Sequence, residues 1–344
     1  MDVGKLPNQL LAQLLARIGP YHSGRVVVGP GVGQDAAVID MGERPGGRPS
    51  GRLLVAKSDP ITFASDLIGW YAVHINANDV ACMGARPAWF LATILLPEGA
   101  APSLAEAIFQ QVLDACQGMG IELVGGHFEI THGLERPIVV GAMLGEVERE
   151  RLVRSSGAQP GDCLILTKGI AIEGTAVLAR ETAEALQRLG VPAPVLEEAR
   201  DYIFRPGLSV VREALLAVES APVHAMHDPT EGGLATALYE LATAGGVGIA
   251  VQEAAIPVLP STEAICRAAA LDPLGLLASG ALLIAVPPDH CDALLARLAE
   301  ADIAAACIGA VKHHSEGIIM RRRSGNREPF PQFARDEVAR FLAQ

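Results

Sequence analysis

The chain has 344 residues, half of them hydrophobic and only 19% charged, so it has ample apolar surface for packed cores and is not globally disordered. That length exceeds the usual single-core size and points to two domains. A net charge of −12 argues against a general affinity for nucleic acid or anionic membranes, both of which need a positive footprint.

At the N-terminus, Gln9, Gln13 and Arg17 interrupt the continuous apolar core that a signal peptide needs, and Leu10–Ile18 reads as a short helix. No apolar run is long enough to span a bilayer, so a cytoplasmic protein is expected. Strands follow at RVVVG and AAVID, then a Gly/Pro/Arg-rich surface loop, MGERPGGRPSG. RLLVAKSD is the next strand, broken by Pro60, and a long helix runs from about Asp66 to Met83, stopped by Gly84 and Pro87. WFLATILLP is a buried strand. In the helix LAEAIFQQVLDACQGMG, Phe109, Val112, Leu113 and Cys116 form one face. IELVGG and RPIVVGAMLGEVE are strands.

The polar, turn-rich segment Arg154–Asp162 is the expected boundary between domains at 1–153 and 154–344. Beyond it come a strand at CLILTKG and helices over Glu173–Leu189, Leu208–Val218 and Thr230–Ala244. Strands GVGIAV and GALLIAV, helix DHCDALLARLAEA and strand IAAACIGAV complete the pattern. Helices and strands mix in both halves, which implies two α+β domains. The basic RRRSGNREP reads as a solvated loop. Cys82, Cys116, Cys163, Cys266, Cys291 and Cys307 are scattered without a C-x-x-C pair, and read as buried thiols of a reducing compartment rather than a disulfide framework or a zinc site.

In VVVGPGVGQDAAVID, Gly31-Val-Gly33-Gln-Asp-Ala36 fits the dinucleotide pattern G-x-G-x-x-A. That motif needs a helix directly after it to hold a pyrophosphate, and a Pro/Gly loop follows here instead, so the match is accidental. No Walker A sequence occurs. Asp79 is the only charged residue between Asp66 and Arg86, on an inner stripe with Ile68, Ala72, Ile75 and Cys82. A carboxylate there must be paired or neutralised by a cation. Asp35, Asp59 and Asp228 each follow a strand or turn, where side chains reach a cleft. Converging carboxylates repel one another unless a divalent ion sits between them, and an oxygen-rich site of this kind suits Mg²⁺ holding substrate phosphates.

His127 and Glu129 lie two apart on a strand and so share a face, though a lone strand-end His is more often structural. The pair Gly125-Gly126 favours close approach of backbone to a ligand. In HDPTEGG, Asp228 and Thr230 precede a helix with Gly232 and Gly233 in its first turn. Thr230 reads first as a plain N-cap; alternatively the free N–H groups of that turn hold a phosphate. His224 and His227 flank the turn without a metal-site spacing.

Taken in order, GPGVGQDAAVID, KSDPITF, IGWYAVHINANDVACMGARPAWF, VGGHFEIT, LILTKGIAIEGTAVLA and HDPTEGGLATAL resemble the AIR synthase (PurM-like) superfamily. Within it they are most similar to the hydrogenase maturation factor HypE group and its AIR-synthase-related paralogues, from GKLP to about Val311. The resemblance implies an α+β two-domain fold. Its N-terminal domain contributes strands to a dimeric barrel, its C-terminal domain is ferredoxin-like, and ATP lies in the cleft near the dimer interface. It further implies that the Gly29–Gly33 loop, Gly31 and Gly33 included, covers the phosphates. Asp35, Asp59 and Asp79 would hold Mg²⁺ with Asn78 adjacent, and Gly125, Gly126 and His127 would contribute to the nucleotide side. Asp228, Thr230, Gly232 and Gly233 would line the substrate side, with Asp59, Asp79 and Asp228 in the catalytic set.

Two departures stand out. His127 occupies a position where family members usually show an acid, with Glu129 as a substitute. The chain also ends DEVARFLAQ, without the cysteine tail on which the HypE reaction is carried. The expected activity is ATP-driven γ-phosphoryl transfer to a small amide, carboxylate or phosphate-bearing substrate. The alternatives are a non-catalytic nucleotide-binding partner in hydrogenase maturation, acting with a maturation partner protein, and a thiamine-monophosphate-kinase-like enzyme. A homodimer is expected.

Overall fold

The computed structural model describes residues 5–6, 8–44, 48–49 and 51–343; of the GKLP segment, Gly4 and Pro7 lie outside them. The chain divides into two compact units. One comprises Tyr21–Gly29 and Asp35–Leu152, the other Met1–Pro20, Pro30–Gln34 and Val153–Gln344. The opening helix α1 is Asn8–Leu15, shorter than expected, and Ile18 is exposed beyond its end.

The unit holding residues 35–152 is built on six strands in the order β1-β2-β5-β8-β6-β7. These are β1 (Val26–Val28), β2 (Ala37–Asp40), β5 (Arg52–Ile61), β6 (Arg86–Pro97), β7 (Glu122–Thr131) and β8 (Ile138–Glu148). Between β2 and β5, two-residue strands β3 (Glu43–Arg44) and β4 (Arg48–Pro49) pair antiparallel where only a loop was expected; residues 45–47 and 50 of that segment are outside the described set. Pro60, expected from sequence to break this strand, instead lies within β5 and pairs with Val140 of β8. Beside Pro60 the strand is a sheet edge, since β2 pairs with β5 only over Leu53–Ala56, and edge positions are where strands tolerate proline.

Helices α2 (Ile68–Cys82) and α3 (Pro102–Met119) cover one face of the sheet. Every residue of α2 except Trp70 is buried, the mark of a helix enclosed on all sides. Gly69 permits this, since a Cβ there would stand 2.5 Å from the Ile108 carbonyl oxygen of α3. The buried face of α3 is Ile108, Val112, Ala115 and Cys116, whereas Phe109, grouped by its spacing with Val112, Leu113 and Cys116, is exposed. The helical period allows either stripe, and the crossing with α2 selects the one carrying Ile108.

The second unit carries seven strands in the order β10-β12-β9-β13-β11-β14-β15. They are β9 (Cys163–Thr167), β10 (Ala225–His227), β11 (Gly248–Gln252), β12 (Leu283–Val286), β13 (Ala305–Lys312), β14 (Ile318–Arg321) and β15 (Arg327–Pro329). Its helices are α4 (Ile172–Glu181), α5 (Ala183–Arg188), α6 (Ala193–Asp201), α7 (Val211–Ser220), α8 (Gly233–Gly245), α9 (Pro260–Ala269), α10 (Pro288–Glu300) and α11 (Glu337–Leu342). The single helix expected over Glu173–Leu189 breaks at Thr182, whose hydroxyl donates back to the Leu178 carbonyl at 2.7 Å. RRRSGNREP forms the β14–β15 hairpin rather than a loop, held by Arg322 against Glu253 and Glu328.

Lys168 is buried in this unit, 2.8 Å from Glu213, and it also donates to the carbonyls of Gly207 (3.1 Å) and Ser209 (2.7 Å). Burial lowers its pKa and Glu213 works against that shift. Lys168→Ala leaves the Glu213 carboxylate buried without its cation and is expected to cost about 3–5 kcal/mol in urea unfolding. The double replacement Lys168→Met with Glu213→Leu should recover most of that loss; equal loss in both variants would show that the pair is not the cause.

Candidate active site

Within the 35–152 unit, the acids singled out by sequence gather around one ammonium. Lys57 and Asp59 lie two apart on β5 and share a face. Asp79 projects from α2 towards them. Lys57 Nζ donates to Asp79 Oδ1 at 3.0 Å and stands 3.5 Å from Asp59 Oδ2. Burial alone would lower the Lys57 pKa, but the fields of Asp79, Asp59 and Asp35 carry it above the ordinary lysine range, so the ammonium stays charged. Asp79 and Asp35 are buried, while the Asp59 side chain is 39% exposed.

The question posed by Asp79 therefore has its answer: the carboxylate is paired, with a lysine that sequence reasoning passed over. The available signal was a lone cation in the apolar run LLVAKSD, two residues before Asp59. Asn76 was also missed. It accepts from the Asp59 N–H at 2.9 Å and donates to the Asp59 carbonyl at 3.2 Å and the Ala72 carbonyl at 2.9 Å, tying β5 to α2. A Cβ at Gly141 of β8 would stand 2.3 Å from that amide nitrogen, so the glycine makes its room. Asn78 is fully buried beside Asp79. Three carboxylates against one ammonium leave the cluster net negative, and its donors are all hard oxygens. That donor set fits Mg²⁺.

His127 and Glu129 do share a face of β7, with Nε2 3.4 Å from Oε2, and both are well exposed. Gly126 differs from expectation. Its φ is +150°, and a Cβ there would sit 2.0 Å from the Ala92 carbonyl oxygen, so the close approach is to the neighbouring strand β6. A Cβ at Gly125 would meet only ordinary contact with Leu91.

The other unit holds the remaining residues. Gly33, at φ +77°, lies against α8; a Cβ would stand 2.5 Å from the Glu240 carbonyl oxygen. Gly31 accepts from the Gln34 N–H in the same turn. Asp228 follows β10 and is buried. Beside it, His227 Nε2 lies 3.0 Å from Glu240 Oε2, and Lys5 Nζ reaches Glu240 Oε1 at 3.4 Å and Thr230 Oγ1 at 3.0 Å. Thr230 does not cap α8: that helix begins three residues later, with Gly232 as its left-handed N-cap residue. The N–H groups of the turn are engaged within the chain. Gly232 donates to Asp336 Oδ2 at 2.6 Å, and Gly233 to the Thr230 carbonyl at 3.0 Å. Asp336 also accepts from Val338 N–H, and burial raises its pKa to about 6.

The profile described as "AIR synthase related protein, N-terminal domain" matches residues 33–147, and that described as "AIR synthase related protein, C-terminal domain" matches residues 159–321. The chain belongs to the AIR synthase related family. It has the two-domain α+β, PurM-like fold of that family. The carbamoyl dehydratase HypE of Cupriavidus necator is 31% identical over 276 residues, covering 77% of this chain and 72% of that relative. A crystal structure of the hydrogenase maturation protein HypE in complex with ATP superposes with a TM-score of 0.72 at 26% identity, over 83% of this chain and 87% of that one. A ThiL complexed with AMPPCP and TMP shares the fold at 20% identity, with a TM-score of 0.69 over 94% of each chain. No helix among the described residues is long and apolar enough to cross a membrane.

Burial raises the pKa of Glu240, but Lys5 and His227 outweigh it and hold the carboxyl down at about 2. A depressed carboxyl contributes stability that is fully present above its unfolded pKa and lost as pH falls through the folded value. The difference in unfolding free energy between wild type and Glu240→Gln is therefore expected to shrink between about pH 4.5 and 2, by at most about 3 kcal/mol. Urea titrations at stepped pH check this; a pH-independent difference would contradict the ion-pair reading.

Proposed function

We propose that this family member is an ATP- and Mg²⁺-dependent enzyme that activates a small amide, carboxylate or phosphate-bearing substrate by γ-phosphoryl transfer. The observation that carries the reading is the cluster of Asp35, Asp59 and Asp79 around Lys57, combined with likeness to an ATP-bound HypE. In this reading Asp35, Asp59 and Asp79 hold Mg²⁺, and Asn78, Gly125, Gly126 and His127 belong to the nucleotide site, with Glu129 beside His127. The Gly31–Gly33 turn covers the phosphates. Asp228, Thr230, Gly232 and Gly233 line the substrate side, and Asp59, Asp79 and Asp228 form the catalytic set within domains 1–153 and 154–344. Bound Mg²⁺ would neutralise phosphate charge as it develops.

The chain's own contribution is positioning and charge. Asn76 fixes the backbone of Asp59, and Lys57 orients both acids, by a hydrogen bond to Asp79 and by its charge beside Asp59. An anionic substrate group at the Gly232 N–H would have to displace the Asp336 carboxylate, which ties access at that turn to the position of α11. Hydrogenase maturation, the context named for HypE, is the process in which a partner protein would be met.

Isothermal titration with ATP and Mg²⁺ tests the assignment. Wild type should bind, and Asp59→Ala and Asp79→Ala should each weaken binding by about tenfold or more, since each removes a charged ligand. Absence of binding in wild type, or undiminished binding in both variants, would sink the reading.

We further propose that the 35–152 unit pairs with a second copy through its sheet. Val124, Phe128 and Ile130 are 52%, 46% and 58% exposed along the edge strand β7, and Phe128 packs edge-to-face on the exposed Phe109. Such an apolar edge is ordinarily covered. Light scattering should give a dimer mass for wild type and a monomer for Phe128→Glu with Ile130→Glu; a monomeric wild type would refute the pairing.

A further inference from the structure

Three cysteines that are far apart in the sequence meet in the second unit. The sulfurs of Cys163, Cys291 and Cys307 all lie within 4.8 Å of one another. The convergence has a traceable cause. In the β9–β13 ladder Cys307 stands opposite Ile165, and after a bulge at Ile308, Ala310 stands opposite Cys163. Opposed residues share a face, as do residues two apart along a strand, so Ile165 places Cys163 and Cys307 on the same side. The bulge sets their spacing. Helix α10 packs against both strands and brings Cys291 to the pair.

The chemistry of the cluster is that of a soft-metal site. Burial raises the pKa of Cys291 and of Cys163, and the neighbouring sulfurs raise Cys291 further, so several thiolates cannot coexist there without a cation. A cation removes both penalties at once. Zinc–sulfur bonds of about 2.3 Å put tetrahedral thiolates about 3.8 Å apart, so the triad needs to close by no more than about 1 Å. Cys163 and Cys307 are only half-buried, which leaves a way in. Cys307 also lines a cavity of about 330 Å³ together with Gln252, Lys312, Glu316, Arg321 and Arg327. That cavity leaves room for an exogenous donor beside Cys307.

We propose that Cys163, Cys291 and Cys307 bind one thiophilic d¹⁰ cation, Zn²⁺, as a three-thiolate site whose fourth position opens towards this cavity. Loading forms three Zn–S bonds and releases the three thiol protons to solvent, including the one that Cys307 donates to the Gly309 carbonyl at 3.4 Å. No change of oxidation state is involved. The site is separate from the carboxylate cluster in ligand type, because its donors are all sulfur where those of Asp35, Asp59 and Asp79 are all oxygen.

The test uses the full chain, reduced and stripped of metal under anaerobic conditions, titrated with Co²⁺ and then Zn²⁺. A thiolate-to-cobalt charge-transfer band should grow to one equivalent per chain and be abolished by one equivalent of Zn²⁺. Cys291→Ser and Cys307→Ser should each weaken binding by about tenfold or more, since loss of even an outer-shell partner costs that much. Cys116→Ala, which removes a buried thiol outside the triad, should leave the band unchanged. Circular dichroism verifies folding, and should Cys291→Ser fail to fold, the half-buried Cys307→Ser decides. No charge-transfer band in wild type, or a full band in Cys307→Ser, overturns the proposal. Neither ATP nor substrate enters the measurement, so its outcome is independent of the assigned activity.

Discussion

The Lys57 ammonium is the constraint around which the candidate active site is organised. Asp79 lies inside a helix enclosed on nearly every side, and a carboxylate there is tolerable only with a counter-charge at hydrogen-bond distance. Lys57 supplies that charge from β5 and draws Asp59 into the same field. One cation thus lets α2 pack as an apolar helix while holding two acids at the sheet. Asn76 and Gly141 complete the arrangement, one by bonding the Asp59 backbone and the other by leaving space for the amide. Changing any of these residues would disturb packing and charge together.

The second unit applies the same economy of charge differently. Lys168 and Glu213 form a buried pair secured by two further carbonyls, and Glu240 lies between His227 and Lys5. The start of α8 has its amide groups engaged by Asp336 and by the Thr230 carbonyl. Helix N-termini are ready anion sites, and here the anion is a side chain of the chain's own C-terminal segment. The turn HDPTEGG therefore joins three functions in one place: it ends β10, it starts α8, and it receives α11 through Asp336.

Much of this was legible in the sequence. The long apolar helix around Asp79, the alternating strands and the ordered motifs gave two α+β units and the family. The same features marked Asp35, Asp59, Asp79 and Asp228 as the acids to follow. The errors have identifiable causes. Pro60 was read as a break because pairing on each edge of β5 is not visible in its composition. Phe109 was grouped with Val112 and Cys116 because two helical stripes compete and only the α2 contact chooses between them. The approach of Gly126 to the Ala92 backbone is a cross-strand contact that the Gly125-Gly126 pair by itself does not show. Thr230 was read as a cap when two glycines after it delay the helix.

Local periodicity, turn chemistry and motif order, all short-range properties, were thus determined by the sequence alone. What only the tertiary structure decided is which side chains meet across long separations. Lys57 and Asp79 lie 22 positions apart and Gly232 and Asp336 lie 104 apart, so no local pattern pairs them. The three cysteines are the sharpest case: each reads as an ordinary buried thiol, and only strand register, a single bulge and the docking of α10 bring their sulfurs together.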